Sequence, residues 1–159
     1  GWLQGQVTQD VRALVGGTSR SFCFCNANGQ VVSLADAWAL PDEIVFAAPL
    51  ATRVAVNERI ERMIVMESVT HEDVTKKFKL VSIQGPRASA LLSEFVPLPP
   101  LDAGLATLEG ADVYVLRSNR TGLGGWDLWV PATKRKALNT LRSAFKSCSE
   151  AAFTVASLE

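Results

Sequence analysis

The sequence predicts an α+β fold of mainly antiparallel sheets with flanking helices. Three observations carry that expectation. Short strand-like segments are joined by tight turn signals, led by Asn28-Gly29. Each group of strands is followed by a segment whose apolar residues recur at three-to-four spacing. This order, strands and then helix, occurs twice, which suits hairpin-built sheets covered by helices.

Residues 2–6 read as a helix end or loop entry. Residues 7–14 read as a helical turn or more, with Thr8 as cap, Asp10 in the first turn and Gly16-Gly17 as the stop. Strands are expected at 19–25, 30–40 and 43–48, turned by Asn26-Ala27-Asn28-Gly29 and by Pro41-Asp42. Pro49 fits the opening of a helix near Leu50, whose apolar stripe is Leu50, Val54, Val56, Ile60, Met63 and Ile64. A short strand and loop follow at 67–74. A strand at 78–84 turns through Gly85-Pro86 into a helix at 87–95, and residues 97–100 form an extended proline link. Strands at 112–118 and 126–130 flank a glycine-rich turn at 119–125. Pro131 opens the last helix, 132–146, with Ala137, Leu138, Leu141 and Phe145 inward and Lys134, Arg135, Arg142 and Lys146 on a solvated face. Residues 151–159 are expected to begin an element that does not finish.

A length of 159 residues suits one module, 1–159, with sub-lobes at 1–75 and 76–159. The charged fraction of 20% is slightly low and hints at surface meant for another domain or subunit. Net charge is zero, so no basic face for nucleic acid is expected. No run of about 18 apolar residues exists, so no membrane span is expected. Cys23, Cys25 and Cys148 are too few and too odd for a disulfide framework. They read as small buried apolar residues in a reducing, cytoplasmic protein. With His71 the sole histidine, no metal site is expected, and His71 itself reads as an exposed loop residue. Gly122-Leu123-Gly124-Gly125 lies between strands, without the strand-to-helix context of a phosphate loop.

Four ordered stretches carry a more specific signal. They are Leu3-Gln4-Gly5-Gln6-Val7-Thr8-Gln9-Asp10-Val11, Cys25-Asn26-Ala27-Asn28-Gly29-Gln30-Val31, Leu80-Val81-Ser82-Ile83-Gln84-Gly85-Pro86-Arg87-Ala88, and Arg120-Thr121-Gly122 with Gly125-Trp126-Asp127-Leu128-Trp129-Val130-Pro131. The first resembles the opening L/M-Q-G-Q-V-T-x-D-V of YgfZ-type folate-binding proteins. The second and third resemble that family's hairpin, C-x-x-x-G-[RK]-[VM], and its strand-to-helix turn, L-x-x-x-Q-G-P-x-A, and the fourth resembles a shortened form of the R-x-G-x-x-G-E-x-G-[FW]-E-[LI]-x-[VI]-P segment of the related aminomethyltransferases. The resemblance implies the folate-binding-domain fold of that group, truncated before its C-terminal β-barrel and before the K-G-C-[YF]-x-G-Q-E cysteine motif. The chain also starts abruptly, as a fragment would.

The resemblance further implies a tetrahydrofolate cofactor, or a derivative of it. Asp127 takes the place of the glutamate that meets the pterin edge, one methylene shorter. Trp126 or Trp129 would stack on the ring; strand alternation by itself gives the alternative that one of the two is a core residue and the other a surface residue. Arg120, Gln6 and Thr8 are further candidates for the same pocket. Aminomethyltransferases carry an acidic pair after the hairpin; Ser33 and Leu34 stand there instead, and Asp36 lies on Leu34's face. No general base for methylene transfer is evident, so the expectation is a binding protein and not an enzyme. The YgfZ resemblance implies a role in iron–sulfur cluster assembly or repair and in tRNA modification, with an iron–sulfur client protein as partner. The alternatives are an aminomethyltransferase or sarcosine-oxidase gamma-like subunit, and a non-catalytic interaction module. An unfinished sheet edge gives an expected homodimer.

Overall fold

The computed structural model describes residues 2–64 and 68–149. The chain divides into two compact units, Gly1–Asp73 and Val74–Glu159. Both are antiparallel sheets with helices, the α+β class expected from the sequence.

The first unit is a three-stranded meander of β1 (Ser19–Cys25), β2 (Val31–Ala39) and β3 (Ile44–Ala47) with helix α1 (Arg53–Met63). Gly29 closes the first hairpin at φ 78°, a backbone state that side-chain-bearing residues rarely adopt. Alternation then sends Phe22, Phe24, Ala35, Ala37 and Ala39 inward against Val56 and Ile60 of α1. The three alanines leave room for the edge-to-face pair Phe22–Phe24, with ring centroids 5.4 Å apart.

Two expectations fail in this unit. Residues 7–14 are not helical. Val7 bridges Phe24, and the Thr8 hydroxyl accepts the Cys23 N–H at 3.0 Å. The Gln4 and Asp10 side chains accept the backbone N–H groups of Val11 and Arg12 at 2.7 and 3.0 Å. Gln4 and Asp10 thus capture two donors that a helix would use. Val11 and Leu14 are both buried without a helix to carry them. Leu50 and Val54 are exposed, at 73% and 66%. Residues Leu50–Thr52 form a 3-10 turn that shifts the angular phase, and Val54 lies about 200° around the helix from Val56. Of the expected strand at 67–74, residues 68–74 carry none, and 67 lies outside the described residues.

The second unit is a four-stranded sheet in the order β4-β7-β6-β5. Its strands are β4 (Phe78–Gln84), β5 (Ala103–Leu108), β6 (Ala111–Arg117) and β7 (Gly125–Pro131). Helices α2 (Ala88–Leu92) and α3 (Arg135–Ala144) accompany it. Strand β5 was not expected: Ala103, Gly104 and Ala106 give it little β-propensity. Its signal is the two-residue turn Glu109-Gly110, both at positive φ (50° and 70°), as a twisted hairpin requires. The core joins Trp126, Leu128 and Val130 of β7 to Val113 and Val115 of β6, Leu92 of α2 and Ala137, Leu138 and Leu141 of α3. Each large apolar side chain buried there contributes on the order of 1.5–3 kcal/mol. Lys134, Arg135, Arg142 and Lys146 are exposed, as expected for a solvated face. The tail at 151–159 lies outside the described residues.

Cys23 and Cys25 are half-buried and Cys148 is exposed, so the cysteines are not the buried core residues expected. His71 is not a free loop histidine either. It stacks on Phe46 at 6.1 Å and its Nε2 meets Asn57 Oδ1 at 3.0 Å. Asn57 Nδ2 and Arg53 Nε in turn donate to Asp73 Oδ2 at 2.7 and 2.6 Å.

Candidate functional site

Strand β7 lies between β4 and β6 and is buried along Gly125 to Val130 on both faces. An antiparallel sheet ordinarily leaves one face to water. Here the odd-numbered positions, Asp127 and Trp129, point away from the core face formed by Trp126, Leu128 and Val130. Trp129 packs with Tyr114 and Phe78, at centroid distances of 5.9 and 6.4 Å. Both tryptophans are therefore buried, at 1% and 8% exposure, against the expectation of one core and one surface ring.

Asp127 is fully buried. A carboxylate out of water needs charged and hydrogen-bonded partners. The sheet register supplies the first: Ser82 stands opposite Asp127, and its hydroxyl donates to Oδ1 at 2.7 Å. The loop between β6 and β7 supplies the second. Arg120 donates from Nη2 to Oδ2 at 2.5 Å and from Nε to both oxygens at 3.2 Å. Gln84 closes the ring, donating to Ser82 Oγ and accepting the Arg120 backbone N–H, each at 3.0 Å.

The loop is held from both ends. The Gly124 N–H donates to Asn119 Oδ1 at 2.8 Å, and the Gly124 carbonyl accepts the Gly85 N–H at 2.8 Å. A Cβ at Gly125 would fall 2.5 Å from the Ile83 carbonyl oxygen, so this closeness of β7 to β4 needs glycine. Thr121, beside Arg120, is buried, and its hydroxyl has no hydrogen-bond partner among the described residues.

Of the residues singled out from the sequence, Asp127 and Arg120 meet directly. Trp126 adjoins them along β7, with its indole N–H donated to Ser89 Oγ at 2.9 Å and Arg117 4.6 Å over its ring. Gln6 and Thr8 belong to the first unit. There Thr8 is committed to Cys23, and Gln6 Oε1 is buried without a partner among the described residues. Ser82, Gln84 and Thr121 are site residues that sequence reading did not single out. The register that places Ser82 against Asp127 joins positions 45 apart in the chain.

The acidic-pair positions are equally plain. Ser33 is buried, bonded to the Leu34 carbonyl at 2.9 Å and to Thr52 Oγ1 at 2.7 Å. Leu34 is 64% exposed. Asp36 accepts the Ser21 hydroxyl at 2.5 Å. Among the described residues, no cluster of three or more His, Cys, Asp or Glu is arranged to hold a metal ion. Among them, no helix is long and apolar enough to cross a membrane.

Hairpin-built antiparallel sheets flanked by helices are the α+β architecture of the aminomethyltransferase-like class, to which a family match assigns the chain. The chain belongs to the GCVT N-terminal domain family, whose model matches residues 1–151. It is similar to an aminomethyltransferase of Saccharopolyspora erythraea, 27% identical over 93% of this chain and 45% of the relative. It is also similar to an aminomethyltransferase of Exiguobacterium sibiricum, 22% identical over 86% of this chain and 39% of the relative. The chain thus spans less than half the length of either relative.

Proposed function

We propose that this chain is a folate-binding module of the YgfZ kind, taking tetrahydrofolate or a derivative, and that it does not itself transfer an aminomethyl group. The observation that carries the reading is the fork between Asp127 and Arg120. A pterin ring presents an amidine-like edge, two N–H donors side by side, which is the donor pattern of a guanidinium. A carboxylate aimed to take one such fork is aimed to take the other. Arg120 is the solvent-side member of the pair, with its side chain 31% exposed against 0% for Asp127. The ligand edge would displace it, leaving the guanidinium free to meet an anionic part of the ligand. The unpartnered Thr121 hydroxyl offers a further polar contact beside it. In this reading Trp126 supports Asp127 from the core side.

The absence of transfer chemistry rests on Ser33 and Leu34, neither of which can act as a general base. A role in iron–sulfur maintenance and tRNA modification, a client protein, a homodimeric state and a cytoplasmic location belong to the same proposal. One observation favours a second reading, a structural module that has lost the ligand: Asp127 is already satisfied by Arg120 and Ser82.

Calorimetric titration with tetrahydrofolate and its formyl derivative separates the two. The folate reading expects saturable binding, weakened at least about tenfold in Asp127→Ala, which is the loss of about 1.4 kcal/mol of contact. It also expects no methylene transfer to tetrahydrofolate. A folded chain that binds neither compound leaves the structural reading standing.

A further inference from the structure

Strand β4 ends on Gln84, which shares a face with Ser82 two residues earlier. Its carboxamide makes two bonds at 3.0 Å: Oε1 accepts the Arg120 backbone N–H, and Nε2 donates to Ser82 Oγ. This orientation cannot reverse. A backbone N–H only donates, so the end that meets Arg120 must be the oxygen and the end that meets Ser82 the nitrogen. The hydroxyl proton of Ser82 is then left for Asp127 Oδ1, 2.7 Å away. Donors therefore run one way, from the loop main chain through Gln84 and Ser82 to the buried carboxylate. Hydrogen bonds arranged head to tail strengthen one another.

Gly125 fixes where the carboxamide sits. It stands opposite Gln84 in the β4–β7 register and has no positive φ, so space and not conformation requires glycine there. A Cβ on Gly125 would lie 2.6 Å from both Cδ and Nε2 of Gln84. The missing side chain is the seat of the carboxamide. We infer that Gln84 is the positioning residue of the Asp127 site. It turns the Ser82 hydroxyl onto the carboxylate and ties down the loop main chain at Arg120, so that the guanidinium can leave Asp127 without carrying the loop away. This role in binding presupposes the folate site proposed above; the two bonds themselves do not.

Two variants separate the two tasks. Gln84→Glu keeps an acceptor for the Arg120 N–H but sets two carboxylates against one Ser82 proton. Gln84→Met keeps the length and loses the tether, while water can replace Nε2 at the exposed Ser82. Without ligand, the Arg120 backbone N–H should be protected from exchange in the wild type and in Gln84→Glu, and should exchange at least about tenfold faster in Gln84→Met. The Asp127 carboxyl ¹³C signal should move in Gln84→Glu as it does in Ser82→Ala, and little in Gln84→Met. A Gln84 that only fills space would shift it alike in both variants. Calorimetry should show tetrahydrofolate weakened about two- to tenfold in Gln84→Met, the worth of one hydrogen bond, and more in Gln84→Glu. An Arg120 N–H that exchanges in the wild type as fast as in an unstructured peptide overturns the proposal, whether or not a variant folds. So does an Asp127 signal unmoved by Gln84→Glu. Unchanged affinity in both variants overturns the role in binding. A wild type that shows both bonds and binds no tetrahydrofolate overturns the folate site instead, and Gln84 keeps its positioning role.

Discussion

Removing either partner of the Asp127–Arg120 pair should destabilise the second unit, but unequally. Arg120→Met keeps the aliphatic stem and deletes the guanidinium. It strands a carboxylate at 0% exposure, with Ser82 as the remaining hydroxyl donor. Breaking a buried pair in this direction costs about 3–5 kcal/mol. Asp127→Asn is milder. The amide oxygen can still take the Ser82 hydroxyl, and Arg120, already 31% exposed, can turn its charge to water. What is lost is a charge-assisted hydrogen bond or two, about 1–3 kcal/mol. Against a domain stability of roughly 5–15 kcal/mol, the arginine variant should be close to its limit. Urea unfolding followed through amide exchange of the β7 strand measures both, because that probe reports on this unit alone. The reasoning is refuted if Asp127→Asn costs as much as Arg120→Met. It is also refuted if both cost under about 1 kcal/mol, the behaviour of a solvated surface pair.

Three further outcomes are expected. Asp10 titrates at about 2 instead of 3.8, held down first by the Arg12 side chain and then by the Arg12 backbone N–H. Its folded pKa is depressed, so its contribution is present above pH 3.8 and is lost as pH falls towards about 2. Carboxyl NMR should show the titration, and Arg12→Ala should return it towards 3.8. Gly125→Ala drives a Cβ to 2.5 Å from the Ile83 carbonyl oxygen and should cost about 1–3 kcal/mol by chemical denaturation. Leu128→Ala empties a fully buried site at the centre of the sheet and should cost about 2–5 kcal/mol. A melt unchanged from wild type would place either residue outside the cooperative core.

The sequence was most legible where local chemistry and packing agree. Strands 19–25 and 78–84 were readable to the residue, and the Asn28-Gly29 turn fixed the first hairpin. It was misleading where side chains outcompete the backbone. Gln4 and Asp10 take the N–H groups of Val11 and Arg12, and Thr8 is tied to Cys23 of β1, so residues 7–14 stay out of the helix that Thr8 as cap and Asp10 in the first turn suggested. β5 was hidden because Ala and Gly say little about strands, while the burial that makes them one is tertiary. The site divides the same way. Asp127 and Arg120 share one short segment and were found together. Ser82 and Gln84 enter only through the β4–β7 register, which no local pattern encodes. His71 likewise acquires its partners from Phe46 and Asn57, remote in sequence.

Stability alone does not account for a carboxylate on a strand buried on both faces. A buried ion pair replaced by apolar residues of similar volume is often neutral, or more stable by about 1–4 kcal/mol. The face that holds Asp127 is apolar enough for such a replacement, with Leu116 beside it on β6 and Trp129 two residues on. The double variant Asp127→Leu with Arg120→Met should therefore unfold at the same urea concentration as wild type, or higher, although Arg120→Met alone is severely damaged. If it does, the charges at this position are kept for something other than folding, and loss of tetrahydrofolate binding in that stable variant would identify what. If the double variant is instead as unstable as Arg120→Met alone, the ring of Asp127, Ser82, Gln84 and Arg120 is itself what positions β7 against β4. The pair then needs no ligand to explain it, and the structural reading of the module is the stronger one.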